Sequence, residues 1–231
     1  RAGSAAACAL TFILSAQAQI SALGWVEVPN NTWAPTGQSP LTDPVGGALW
    51  GSRSWRTFDL EIRGAAGTTI NAINLGGLPG EPYQISTGAG EVFNHPVGSD
   101  VRSFQLEPIF AAVGFDTYAC FGGNNFQDGQ PFGVFLGSIQ NFSGQGGAIR
   151  YTATARPGIP ATIENDGTLR VLRITVASDF DPLTGGVGRA QVGLPGGLLL
   201  DFDVGRWADI PSPGAASLLA MAALTGARRK R

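Results

Sequence analysis

Apolar and polar residues alternate strictly along several stretches in the middle of the chain. In "TFDLEIR", Phe58, Leu60 and Ile62 interleave with Thr57, Asp59, Glu61 and Arg63, which predicts a strand with one face inward and the other in water. "GAIRYTATA" sets Ile149, Tyr151 and Ala153 against Arg150, Thr152 and Thr154. "VLRITVA" repeats the pattern with Leu172, Ile174 and Val176, and "LLLDFDV" sets Leu198, Leu200, Phe202 and Val204 against Asp201 and Asp203. Weaker candidates are Thr69 to Leu75, Val101 to Leu106, Phe115 to Phe121 and Phe132 to Leu136. Gly and Pro clusters separate nearly all of these runs, and Asn165, Asp166 and Gly167 have the chemistry of a tight hairpin turn.

No stretch of the body keeps a helical period. About eight to ten strands of this kind pack most simply as two antiparallel sheets, so the expected fold is all-β, a two-sheet sandwich of jelly-roll or immunoglobulin-like form. The segment "PNNTWAPTGQSPLTDPVGGAL", Pro29 to Leu49, is too rich in Pro, Asn and Gly for regular structure and is expected to be a long loop or irregular edge. A chain of 231 residues with 34 Gly, 15 Pro and only 14% charged residues fits one such domain.

The two ends do not share this pattern. "AGSAAACALTFILSAQAQ" carries no charge, and Ala16 and Ala18 bracket Gln17 in the Ala-x-Ala form that signal peptidase accepts, so residues 1–18 are expected to be a secretory signal with its charged front upstream of Arg1. The exported chain would begin at Gln19. "AAAC" around Cys8 has the look of a lipobox, but a lipobox closes its apolar region and "ALTFIL" follows this cysteine. Cys120 is then alone in the exported domain, which rules out a disulfide scaffold and predicts a small buried side chain.

Without Arg1 and the four cations at the C-terminus, ten basic residues face 17 acidic ones, a net charge of −7. Nucleic acid is a poor partner for such a surface, since phosphate binding needs a basic patch. Catalytic motifs are missing as well. His95 in "VFNHPVG" is the one histidine, expected in a surface turn because Pro96 follows it, and no Gly-x-Ser-x-Gly or His-Glu-x-x-His occurs. Asp59 with Glu61, and Asp201 with Asp203, are paired carboxylates of the kind glycosidases use, but their spacing is that of a solvated strand face, and the Glu-x-Asp-x-x-Glu arrangement of some jelly-roll glycosidases is absent. "SDFDPLTGGVG" offers Asp179 and Asp181 to calcium, a cation that carboxylates on a loop can bind. It is not an EF-hand, because Leu183 and Ala190 occupy the fifth and twelfth places. Trp25, Trp33, Trp50 and Trp55 crowd the first quarter of the chain and Trp207 lies near its end. Tryptophan serves both cores and sugar-stacking platforms, and Trp33, in the loop-like "NNTWAPTG", is the best candidate for a ligand contact.

The last 21 residues, "PSPGAASLLAMAALTGARRKR", combine Pro211, Ser212 and Pro213 with an apolar run from Gly214 to Ala227 and the cations Arg228, Arg229, Lys230 and Arg231. As a helix the run would cover about 21 Å, against roughly 30 Å of hydrocarbon, enough for transient insertion but short for a permanent anchor. The cations would hold its end on the cytoplasmic side. In order and character this tail resembles the PEP-CTERM sorting signal of exosortase substrates in Gram-negative and related bacteria, with Pro-Ser-Pro where the family commonly has Pro-Glu-Pro. The resemblance implies recognition and removal of residues 211–231 by an exosortase-type enzyme, and release or surface attachment of the rest, often in organisms making exopolysaccharide. The expected domains are thus a signal at 1–18, a β-sandwich at 19–210 and a sorting tail at 211–231. The expected function is that of an exported cell-surface or matrix protein, non-enzymatic and binding polysaccharide. The alternative is a secreted carbohydrate-active enzyme with an unrecognised carboxylate pair.

Overall fold

The computed structural model describes residues 20–28, 39–76, 82–88, 92–98, 105–121, 132–138, 147–156, 161–178 and 185–206. They form an all-β domain of antiparallel sheets. The first sheet has the order β1 (Ile20–Val28), β2 (Trp55–Gly64), β10 (Thr168–Ala177), β6 (Tyr118–Ala119). The second runs from β12 (Leu199–Val204) through β11 (Gly188–Gly193) to a slot shared by β4 (Ala72–Asn74) and β5 (Gln84–Gly88), then β8 (Gly147–Ala155) and β7 (Phe132–Ser138). A two-stranded ribbon joins β3 (Thr69–Ile70) to β9 (Ala161–Thr162).

The four strongly alternating stretches are strands in the expected places. Phe58, Leu60, Ile62, Leu172 and Ile174 from the first sheet share one buried cluster with Ile73, Ile85, Ile149, Tyr151, Ala153 and Val192 from the second. Each large aliphatic or aromatic side chain so buried contributes roughly 1.5–3 kcal/mol. Two polar links cross between the sheets: the Tyr151 hydroxyl donates to the Val171 carbonyl, and Trp25 Nε1 donates to the Gly186 carbonyl at 3.1 Å. Cys120 is buried, as a small core residue should be. The turn before β10 is also as expected, with Gly167 at φ +81° and the Asp166 carboxylate accepting from the Thr168 backbone N–H at 2.9 Å.

Several expectations need correction. Thr69 to Leu75 is not one strand: Thr69–Ile70 pairs with β9, whereas Ala72–Asn74 pairs with β8 and β11. Of Phe115 to Phe121 only Tyr118–Ala119 is strand, and a 3-10 turn, Ala111–Phe115, precedes it. Gln105 and Leu106, the described end of another candidate strand, lie in a turn closed by Phe110 N–H donating to Leu106 O at 2.8 Å. The segment expected to be irregular holds, in its described part, a 3-10 turn at Pro40–Thr42 and a short helix at Gly47–Gly51. The helix sends Trp50 into a second cluster with Trp55, Phe93, Ala112, Phe115 and Ala177. Trp50 stacks at 6.3 Å on Trp55 and meets Phe93 edge-on at 5.1 Å, arrangements that aromatic quadrupoles favour.

These irregular segments cover one end of the outer face of the first sheet. Thr57 and Asp59 point outward as their alternation requires, yet both are buried, and so are Arg173 and Thr175 on β10. In the second sheet the shared slot arises because the chain leaves β4 and returns as β5 between the same neighbours. Gly76 makes the exit with φ +88°, and a Cβ there would stand 1.7 Å from the Tyr83 carbonyl oxygen, so no other residue fits.

Candidate functional site

Three polar constellations stand out. The first is buried under the irregular segments and contains His95, which is 1% exposed and not the surface residue its Pro neighbour suggested. The turn at Pro96 and Val97 exists, but its histidine ring is directed into the protein. Nε2 lies 3.3 Å from Asp43 Oδ1, and Nδ1 accepts from the Val97 N–H at 3.2 Å. The proton therefore sits on Nε2, and both ring nitrogens are committed. Asp43 Oδ1 also accepts from the N–H of Val45 at 2.9 Å and of Gly46 at 2.7 Å, while Oδ2 accepts from Ala112 N–H at 2.9 Å. Burial opposes ionisation of Asp43, but these amide donors and the imidazole outweigh it and hold the carboxyl below its usual range. Asp116 fixes the other side by accepting from the backbone N–H of His95 at 2.8 Å. The cluster ties residues 39–51, 92–98 and 111–116 together, and its groups are satisfied by one another.

Gly46 shows how tightly the ring is held: a Cβ there would stand 2.2 Å from His95 Cδ2 and 2.3 Å from Nε2. Its φ of −92° suits any residue, so the constraint is space alone. Gly46→Ala is expected to displace the imidazole from Asp43 and to cost about 1–3 kcal/mol in urea unfolding. Gly24→Ala, where a Cβ would meet nothing within 4 Å, should change stability by less than about 0.5 kcal/mol. Equal effects at the two positions would contradict the packing argument.

The second constellation includes one of the carboxylate pairs. Asp59 receives Arg173 bidentately, Nε to Oδ1 and Nη2 to Oδ2, both at 2.7 Å, and Arg173 Nη1 donates to the Gly114 carbonyl at 2.7 Å. Arg170 Nε makes an ion contact with Asp59 Oδ2 at 2.7 Å, at an angle outside hydrogen bonding. A β-bulge between Arg170 and Leu172 places both arginines, three residues apart, on the same sheet face. Burial opposes the Arg173 charge, but Asp59 more than compensates and holds the guanidinium above its usual value. Burial also raises the Glu61 carboxyl, with Asp59 adding to the shift and Arg170 and Arg63 opposing it. With both its oxygens engaged by arginines, Asp59 has the environment of a structural ion pair and not that of a solvated strand face.

The third constellation lies on the outer face of the second sheet and includes the other carboxylates, Asp201 and Asp203, which are exposed as expected. Register aligns two rows across the strands. One reads Asp203, Arg189, Gln84, Arg150, and the other Asp201, Gln191, Asn74, Thr152. Their side chains bond to one another. Gln191 Nε2 donates to Asp201 Oδ1 at 2.9 Å and to the Tyr83 hydroxyl at 2.8 Å, and that hydroxyl donates to Asp201 Oδ1 at 2.9 Å. Donation from Gln191 first, then Tyr83, holds the Asp201 carboxyl below its usual range. Arg189 Nε stands 3.4 Å from Asp203 Oδ1, Arg150 Nε donates to Gln84 Oε1 at 3.1 Å, and Thr152 Oγ1 donates to Asn74 Oδ1 at 2.8 Å. The result is a broad, solvent-facing field of phenol, carboxylate, amide, hydroxyl and guanidinium groups with fixed orientations.

Ala16, Ala18, Trp33, Asp179, Asp181, Trp207, Pro211, Ser212, Pro213, Gly214, Arg228, Arg229, Lys230 and Arg231 lie outside the described residues. Trp25, Trp50 and Trp55 are core residues. Among the described residues no cluster of three or more His, Cys, Asp or Glu side chains has the spacing to hold a metal ion. No motif marks Tyr83, Gln84, Arg189 or Gln191; for Arg189 and Gln191 the one signal is the polar phase of β11. No family model matches the chain, and no curated protein matches it. Among solved structures, the Iho670 flagellar-like filament is matched at 13% identity over 88% of this chain and 93% of that one, with a TM-score of 0.19, a likeness too small to carry an argument.

Proposed function

We propose that the chain is an exported bacterial cell-surface or matrix protein whose two sheets form a sandwich that works by binding polysaccharide, without a catalytic centre. The observation that carries the reading is the pair of polar rows on the second sheet, where oriented hydroxyl, amide and carboxylate groups lie open to solvent in the mixture that hydrogen-bonds sugar hydroxyls. In this reading a signal peptidase removes residues 1–18 and an exosortase-type enzyme removes residues 211–231, leaving the sheets as the exported part. The buried carboxylates argue against the enzyme alternative, because Asp43 and Asp59 are engaged by amides, imidazole and arginines.

The test is titration calorimetry of the secreted protein against neutral and acidic polysaccharides, with reducing-end release measured on the same samples. Binding without product is the expected result, and it should weaken on Gln191→Ala or Tyr83→Ala. Product formation abolished by a single Asp or Glu substitution would overturn the non-enzymatic reading, and no binding to any polymer would overturn the ligand.

A further inference from the structure

Charge is unevenly placed along the row that runs from β12 to β8. At the β12 end Arg189 lies against Asp201 and Asp203, at 3.9 and 3.4 Å, so cation and carboxylates offset one another. On β8, Arg150 is exposed, and its partner among the described residues is the neutral amide oxygen of Gln84, reached from Nε and Nη2. A guanidinium has five N–H donors, so Arg150 keeps three, and its charge is met by no carboxylate among the described residues.

We propose that this row binds an acidic polysaccharide in which uronic acids alternate with neutral sugars, with a uronate carboxylate seated on Arg150. The inference rests on the polysaccharide reading above and names the ligand class of the same face. Guanidinium and carboxylate match in a bidentate, charge-assisted pair, and Gln84 holds the guanidinium in place before the ligand arrives. Asp201 and Asp203 repel a second carboxylate but accept hydroxyl hydrogens, so the ligand segment over β11 and β12 is neutral. Four strand positions at roughly 4.8 Å spacing give a row of about 14 Å, the length of a short oligosaccharide. One carboxylate at one end and hydroxyls at the other therefore fit an alternating polymer better than a homopolymer of uronic acid.

The probe is hyaluronan, which alternates glucuronate with a neutral N-acetyl sugar, compared with the same polymer after carboxyl reduction. Calorimetry of the full chain is expected to show binding of hyaluronan at least about tenfold tighter than of the reduced polymer, weakening as salt is raised. Arg150→Gln should lower hyaluronan affinity about tenfold and lower the reduced polymer's affinity by a clearly smaller factor. Arg63→Gln, an exposed position on the first sheet with the same charge change, should alter neither. Equal affinity for the two polymers, or equal effects of the two arginine variants, would overturn the inference while leaving polysaccharide binding itself intact. Failure to bind hyaluronan would also overturn it, and the wider glycan panel decides the general reading separately.

Discussion

Asp59→Ala is expected to destabilise the domain by about 3–5 kcal/mol, because it strands the Arg173 guanidinium in a site where its side chain is 1% exposed. For a domain of this size that corresponds to a fall of roughly 10 °C in melting temperature. The loss comes from the uncompensated cation and not from a missing attraction, which makes it distinguishable. The double variant Asp59→Leu with Arg173→Met removes both charges and fills similar volume, so it should recover at least half of the loss. Thermal unfolding of the two variants beside the parent decides the matter. If the double variant loses as much as the single one, or the single one less than about 1 kcal/mol, the desolvated charge is not what matters there.

Asp43→Ala should cost about 3–4 kcal/mol, since the N–H groups of Val45, Gly46 and Ala112 lose their acceptor inside the protein and His95 loses its partner. Acid adds a second readout with a definite sign. The Asp43 carboxyl is held below its ordinary value of 3.8 in the folded chain, so in acid the unfolded chain takes up that proton first. The stabilisation is complete above the ordinary value and is lost as pH falls through the lower, folded value. The parent should therefore lose stability more steeply below about pH 4 than Asp43→Ala does. Parallel acid limbs in urea titrations of the two proteins would mean that the fold does not lower the carboxyl's pKa.

Alternation revealed the strands, and it identified which residues share a face. It could not say what covers that face. Thr57 and Asp59 occupy the outward phase of β2, and their burial depends on Trp50, Phe93 and Phe115, which sit in segments with no period of their own. The burial of His95 escapes the sequence for the same reason, since Pro96 foretells a turn but not the direction of the neighbouring ring. The joining of Arg170 and Arg173 on one carboxylate was hidden by a bulge that adds a residue to the strand and overrides the period of two. On the second sheet local pattern marks Arg150, Thr152, Asp201 and Asp203 as polar-phase residues but not the rows to which they belong. Those rows align residues of β12, β11, β5 and β8, and only the strand order makes neighbours of them.

The place of β10 between β2 and β6 bears on when the chain can fold. The bond between the Thr57 and Thr175 hydroxyls, at 2.8 Å, joins residues 118 positions apart, and Trp55 pairs with Ala177. A growing chain can pair β1 with β2 early, but β2 lacks its second partner, β10, until most of the chain has been made, and the second sheet waits for β11 and β12 later still. Such remote pairing is slow, because the entropy of closing long loops must be overcome before the contacts form. The nascent chain thus stays extended for longer than a locally wired domain of equal length would, the form in which a polypeptide can be threaded through a narrow channel.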